Sequence, residues 1–205
     1  MKLTKDSRNL VLFMAIGDGY VRKTGGVLVI RHCAAQREYL EWKRDLLRKS
    51  GINTSDVYYV DNNGYGAYEF YTYSHKFIKL IRKYMYTPKK VIANPKLLKR
   101  LTPLGLYIWY LDNGGLSQIR DSRGNIKANN LMLNTMLTKE DNQIIVDYFW
   151  DTWGIKFWQA KNHGKYRLCC GTKEARKFLG IISKYKDEVN CLKYKFNVKP
   201  ELKHT

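Results

Sequence analysis

Two short stretches hold the residues best suited to chemistry. In "LFMAIGDGYV" an apolar run ends on Asp18 before Gly19, and in "LYIWYLDNGGL" another ends on Asp112 and Asn113 before Gly114. An acid at the C-terminal end of a helix sits at the negative pole of the helix dipole, and two such ends brought together set carboxylates against each other. A divalent cation such as Mg²⁺ relieves that repulsion, and beside DNA it is arranged for phosphodiester hydrolysis. The stretches differ at one matching point, where Asp18 is answered by Asn113. Asp-Gly and Asn-Gly are also plain turn dipeptides, so the chemical reading depends on what surrounds them.

What surrounds them is a repeat. "NLVLFMAIGDG" and "PLGLYIWYLDNGG" are apolar nearly all round, which predicts helices buried on most sides. Ala15, Gly17 and Gly105 would let two such helices approach closely, and Pro103 suits a first helical turn. After the first corner come the hairpin "YVRKTGGVLVIRH" and the helix "AAQREYLEWKRDLLRKSGI", stopped at Gly51. The hairpin "DVYYVDNNGYGAYEFYTY" and the amphipathic helix "HKFIKLIRKYM" follow. After the second corner the same order returns: "LSQIRDSRGNIKANNLMLNT", "KEDNQIIVDYFWDTWGI", "KFWQAKNHGKYRLCC" and "TKEARKFLGIISKYK". The sequence therefore predicts an α+β fold of two pseudo-symmetric αββαββα halves, residues 1–87 and 103–205. A basic linker at 88–102, containing "PKKVIANP", joins them. The two motif helices form the shared interface, with Asp18 and Asn113 side by side at its end.

Charge narrows the partners. Thirty-seven Lys and Arg against 18 Asp and Glu leave +19 on 205 residues, a self-repulsion that a polyanion offsets. No apolar stretch is long enough to span a membrane, and "MKLTKDSRNL" lacks the apolar core of a signal peptide. Cys33, Cys169, Cys170 and Cys191 show no paired metal-ligand spacing, which fits a reduced, intracellular setting. The four histidines are scattered, so neither a zinc finger nor a His-Asn-His nuclease motif is present.

At these residues the chain resembles the monomeric, double-motif LAGLIDADG homing endonucleases. "VLFMAIGDG" is similar to the first motif, and "LTPLGLYIWYLDNGG" is closer still to the second motif of the intron-encoded yeast mitochondrial branch. "KKVIANPKLLKRLTP" and "CLKYKF" add to the likeness. The resemblance implies two saddle-shaped four-stranded sheets along a long, largely asymmetric double-stranded DNA site, cut across the minor groove. It implies that Asp18 and position 113 hold divalent metal, with backbone carbonyls of Gly17 and Asp112 completing the shell. Lys90 and Lys195 match the two active-site lysines. Mg²⁺ or Mn²⁺ would support cleavage, and Ca²⁺ binding alone. The setting it implies is a prokaryotic or phage-host cytoplasm, or a mitochondrial or plastid matrix.

Asn113 departs from the pattern. Asparagine keeps one carbonyl oxygen as a ligand but removes a full negative charge, so cleavage should be abolished or slowed on at least one strand. It marks either an engineered inactive form or a natural homologue that has lost cleavage. Two rivals remain: a maturase binding intron RNA, and a DNA-binding protein without catalysis. Strand alternation nominates Arg22, Lys23, Arg31, Tyr59, Asn62, Tyr65 and Tyr68 as DNA contacts in the first half. In the second half it nominates Gln118, Arg120, Arg123, Lys127, Asn129, Lys156, Gln159, Lys161, Asn162, Lys165 and Arg167. Arg suits guanine and Asn or Gln suits adenine, whereas loop lysines more often touch phosphate.

Overall fold

The computed structural model describes residues 3–62, 64–86 and 92–197. The first half runs α1 (Lys5–Ile16), β1 (Tyr20–Val21), β2 (Leu28–Cys33), α2 (Arg37–Lys49), β3 (Tyr58–Asn62), β4 (Tyr65–Tyr71) and α3 (Lys76–Met85). A one-turn helix, α4 (Pro95–Leu98), lies in the stretch expected to be linker. The second half repeats the order as α5 (Pro103–Asn113), β5 (Gly114–Arg120), β6 (Ile126–Leu137), α6 (Lys139–Trp153), β7 (Trp158–Asn162), β8 (Lys165–Cys170) and α7 (Thr172–Ile182). A 3₁₀ segment, Asn190–Phe196, follows. Each half forms one antiparallel four-stranded sheet, β1-β2-β4-β3 and β5-β6-β8-β7. No helix among the described residues is long and apolar enough to cross a membrane.

Local chemistry fixes where the two central helices begin and end. Thr4 caps α1 by accepting from the Ser7 N–H, and Thr102 caps α5 by accepting from the Gly105 N–H. Gly17 and Gly114 close them, their N–H groups donating to Phe13 and Tyr110 carbonyls. Leu10 through Ile16 on one helix and Leu106 through Leu111 on the other are buried. Each large apolar side chain so buried contributes about 1.5–3 kcal/mol. Gly105 lets the helices touch: a Cβ there would enter the Phe13 ring. α2 and α6 stop where residues turn left-handed, at Gly51 (φ 79°) and Gly154 (φ 62°).

Candidate functional site

The two central helices end together. Asn113 Nδ2 stands 3.4 Å from Asp18 Oδ1, so an amide donates where a second carboxylate would repel. Asp112, one position earlier, points into the interface. Its Oδ2 accepts the peptide N–H of Asp18 at 2.9 Å, and its Oδ1 accepts from Lys43 Nζ at 2.5 Å and from the Tyr39 hydroxyl at 2.8 Å. Gly17 makes the room, because a Cβ there would collide with the Asp112 carboxylate. The Gly17-Asp18 pair of one corner and the Asp112-Asn113 pair of the other are thus complementary in shape.

Burial would raise the Asp112 carboxyl, but the Lys43 ammonium and the hydrogen bonds from Lys43 and the Asp18 amide hold it below the ordinary aspartate value. Lys43 also lies 3.1 Å from His32 Nε2. Burial and then Lys43 push the His32 imidazolium down to about 3, so the ring is neutral. With Lys43 donating to Nε2, the ring proton belongs on Nδ1, which faces Asp18 Oδ2 at 3.8 Å. Asp18, His32 and Asp112 are metal-ligand types whose ligand atoms lie within 4.8 Å of one another. Lys43 already supplies that trio with a positive charge, and of the two carboxylates Asp18 is the exposed one.

Lys195 closes the second corner. Its Nζ donates to the carbonyls of Leu111 at 2.6 Å and Gly114 at 2.8 Å, setting a cation on the negative end of α5. Burial lowers its pKa, against the pull of Asp112 and Asp18. Two carboxylates (Asp18, Asp112) thus face two ammonium groups (Lys43, Lys195) with a neutral His32 and Asn113. Their side-chain charges sum to zero. Lys90 lies outside the described residues.

His32, Lys43 and Tyr39 were not singled out from the sequence as site residues. The signal was there: Lys43 interrupts the buried stripe Tyr39, Leu40, Leu47 on α2, and His32 takes the inward place after Leu28 and Ile30. The second half has no counterpart. Counted from the matched corners, Thr135 stands where the first half has His32, and Ile145 precedes Phe149 as Lys43 precedes Leu47. Ile145 is buried and apolar, and Thr135 is buried with its hydroxyl on Asn142, so neither place carries a titratable group.

Register also sorts the expected DNA contacts. Arg31, Tyr65 and the Asn62 position lie on the outer face of the first sheet, opposite the buried row of Leu28, Ile30 and His32. Arg22 joins them, stacked over Tyr71 at 5.5 Å, and Lys23 is exposed in the turn after β1. Asn162, Lys165 and Arg167 share the outer face of the second sheet. Others fall on the helix side. Tyr59 and Tyr68 pair with each other in register with His32. Gln159 donates to Gln143 of α6, and Lys161 shares its face. Asn129 is buried beside Thr172, and Gln118 is paired with it on the inner face of β5 and β6. Lys127 has that same inward parity but is exposed. Lys156 lies over Trp150 of α6 at 4.8 Å. Arg120 is held by Gly124 and Gln118 past a bulge, and Arg123 is exposed in the β5–β6 turn.

Known proteins with this architecture fit the geometry. The chain is 29% identical over 198 residues to Protein RecA of Mycolicibacterium chitae, covering 90% of this chain and 45% of that protein. Protein RecA of Mycolicibacterium flavescens is 27% identical over 202 residues, covering 90% and 45%. The chain thus spans a little under half the length of these curated relatives. Among solved structures, the homing endonuclease I-WcaI bound to its DNA recognition sequence has a TM-score of 0.77 at 22% identity, over 98% of this chain and 89% of that one. The LAGLIDADG homing endonuclease I-GzeII in complex with its DNA target has 0.56 at 10%, over 95% and 87%. I-DmoI in complex with DNA and Mn has 0.51 at 15%, over 87% and 96%. Those identities speak to the fold. The profile of the LAGLIDADG DNA endonuclease family matches residues 12–178, well over half of the chain, which therefore belongs to that family.

Proposed function

We propose that this protein is a sequence-specific double-stranded DNA endonuclease of the homing type, acting as a monomer inside the cell, with cleavage weakened by Asn113. The observation that carries the reading is the meeting of Asp18 and Asn113 at the end of the paired central helices, in a +19 chain. The exposed Asp18 carboxylate is a hard anionic ligand suited to Mg²⁺ or Mn²⁺. Asp18, the Asn113 side-chain oxygen and the carbonyls of Gly17 and Asp112 would hold the ion. Bound there, it would supply Lewis-acid stabilisation of a phosphoryl oxygen and an acidified water. Asp112 holds the Asp18 peptide, and His32 directs an N–H toward its carboxylate. Lys195 fixes the Asn113 corner by binding carbonyls on either side of it. An uncharged Asn113 and a zero side-chain charge sum weaken the pull on a dication. DNA binding, which uses the outer faces of the sheets, is retained.

The zero charge sum also favours a second reading, a binder of duplex DNA or of intron RNA that does not cut. The test compares the protein with Asn113→Asp on DNA libraries, in Mg²⁺ and in Ca²⁺. Double-strand cuts by Asn113→Asp in Mg²⁺, where the present form binds or nicks, support the nuclease. If neither form cuts any DNA it binds, the binder reading takes over, and tighter capture of a folded intron than of duplex selects RNA.

A further inference from the structure

Glu69 is an unexpected residue on a surface meant for a polyanion. It stands in the central row of the first sheet's outer face, where β2, β4 and β3 pair as Arg31, Glu69 and Tyr58. Its side chain is only 8% exposed and both of its oxygens are engaged. Oε2 accepts from Arg31 Nε at 2.9 Å and Nη2 at 2.7 Å, and Oε1 accepts from the Tyr58 hydroxyl at 2.5 Å. Burial and the hydrogen bond to Glu69 push the Tyr58 phenol up to about 12, so at neutral pH it remains a donor. The Arg31 side chain is 45% exposed. An arginine gripped through Nε and one Nη keeps its far edge, with an N–H from each terminal nitrogen, for another partner. That edge is the fork that matches guanine O6 and N7 in the major groove.

We propose that Glu69 and Tyr58 are positioning residues that hold Arg31 as a guanine reader, so that one base pair of the first half-site must present guanine to this face. The proposal rests on the reading of the outer faces as the surface for duplex DNA. A loose arginine on a basic surface is drawn to any phosphate, whereas one fixed by a buried carboxylate loses rotamer freedom and part of its net charge. Counted from the two matched corners, the place of Arg31 on the second sheet is taken by Asn134, which is uncharged. The arginine device therefore serves only one half-site, and the target is asymmetric at this position.

The experiment is binding selection from a randomised duplex library in Ca²⁺, with the unmodified protein, Arg31→Ala, Arg31→Lys, Glu69→Gln and Tyr58→Phe. The unmodified protein is expected to require guanine at one position. Arg31→Ala, Arg31→Lys and Glu69→Gln should each reduce that preference by about 5- to 150-fold. Tyr58→Phe should reduce it by less. Preferences elsewhere and the salt dependence of binding should stay unchanged, an outcome that general loosening of the fold would not give. A uniform loss for Arg31→Ala, with the slope of log K against log salt reduced by about one, means a phosphate contact and overturns the proposal. Guanine preference surviving in Glu69→Gln overturns the positioning role; if that variant does not fold, unaltered preference in both Arg31→Lys and Tyr58→Phe does so. Sequence preferences that include no guanine governed by these residues sink this proposal and leave the nuclease reading standing. Duplex binding without any sequence preference sinks both.

Discussion

The peptide N–H of Asp18 donates to Asp112 Oδ2 across the interface between the two central helices, at 2.9 Å. The second motif thereby holds the first motif's acid, and Lys43 neutralises the group that does the holding. Because Asp112 and Lys43 are both fully buried, removing one leaves the other as an uncompensated charge.

Asp112→Leu should therefore cost about 3–5 kcal/mol in urea unfolding. The double variant Asp112→Leu, Lys43→Met should recover much of that loss, giving a clear coupling energy in a double-mutant cycle. Strict additivity of the two single losses would mean that the pair does not interact as described.

Acid should weaken the fold starting near neutrality. The unfolded His32 takes its proton near 6.5 and the folded one only near 3. The unfolded chain thus binds the extra proton in between, and stability falls as pH drops through that window. Asp112 adds a second loss at lower pH: its folded carboxyl lies below the ordinary 3.8, so its contribution is present above that value and disappears as pH falls through the folded one. Chemical denaturation in EDTA from pH 7 to 4 should show this slope, flattened in His32→Gln. An equal slope in both proteins would remove His32 from the account.

Asn113→Asp exchanges a hydrogen bond to Asp18 for a like-charge contact. Without metal, the variant should be destabilised by about 1 kcal/mol. Mg²⁺ should raise its melting temperature by several degrees while moving that of the present protein little. Equal Mg²⁺ responses would argue that position 113 does not touch the ion.

The outer face should dominate DNA affinity. Arg167→Ala and Lys165→Ala are expected to weaken binding and, where they meet phosphate, to lower the salt slope by about one each. Gln159→Ala and Lys161→Ala, on the helix side, should change affinity less than twofold in a filter-binding or anisotropy titration. The opposite ranking would place the DNA on the other face.

The sequence by itself determined the repeat, the two corners and the elements between them. Those follow from local signals: apolar periodicity, Thr caps, and glycines at left-handed stops such as Gly51 and Gly154. It also named Asp18 and Asn113 as neighbours, since pseudo-symmetry needs only matching positions. Strand parity was legible along β8, where Lys165 and Arg167 face outward, but not along its hairpin partner β7, whose Gln159 and Lys161 lie on the helix side. It slipped along β5 and β6, whose longer loop and bulge hide the phase, so Gln118 and Asn129 proved to face inward. Tertiary structure alone decided the company of Asp112. Tyr39, Lys43 and His32 come from a helix and a strand of the other half, and they meet Asp112 only because a glycine leaves room for a carboxylate to cross. Pairing a buried charge depends on distance in space, which residue spacing along one chain does not encode.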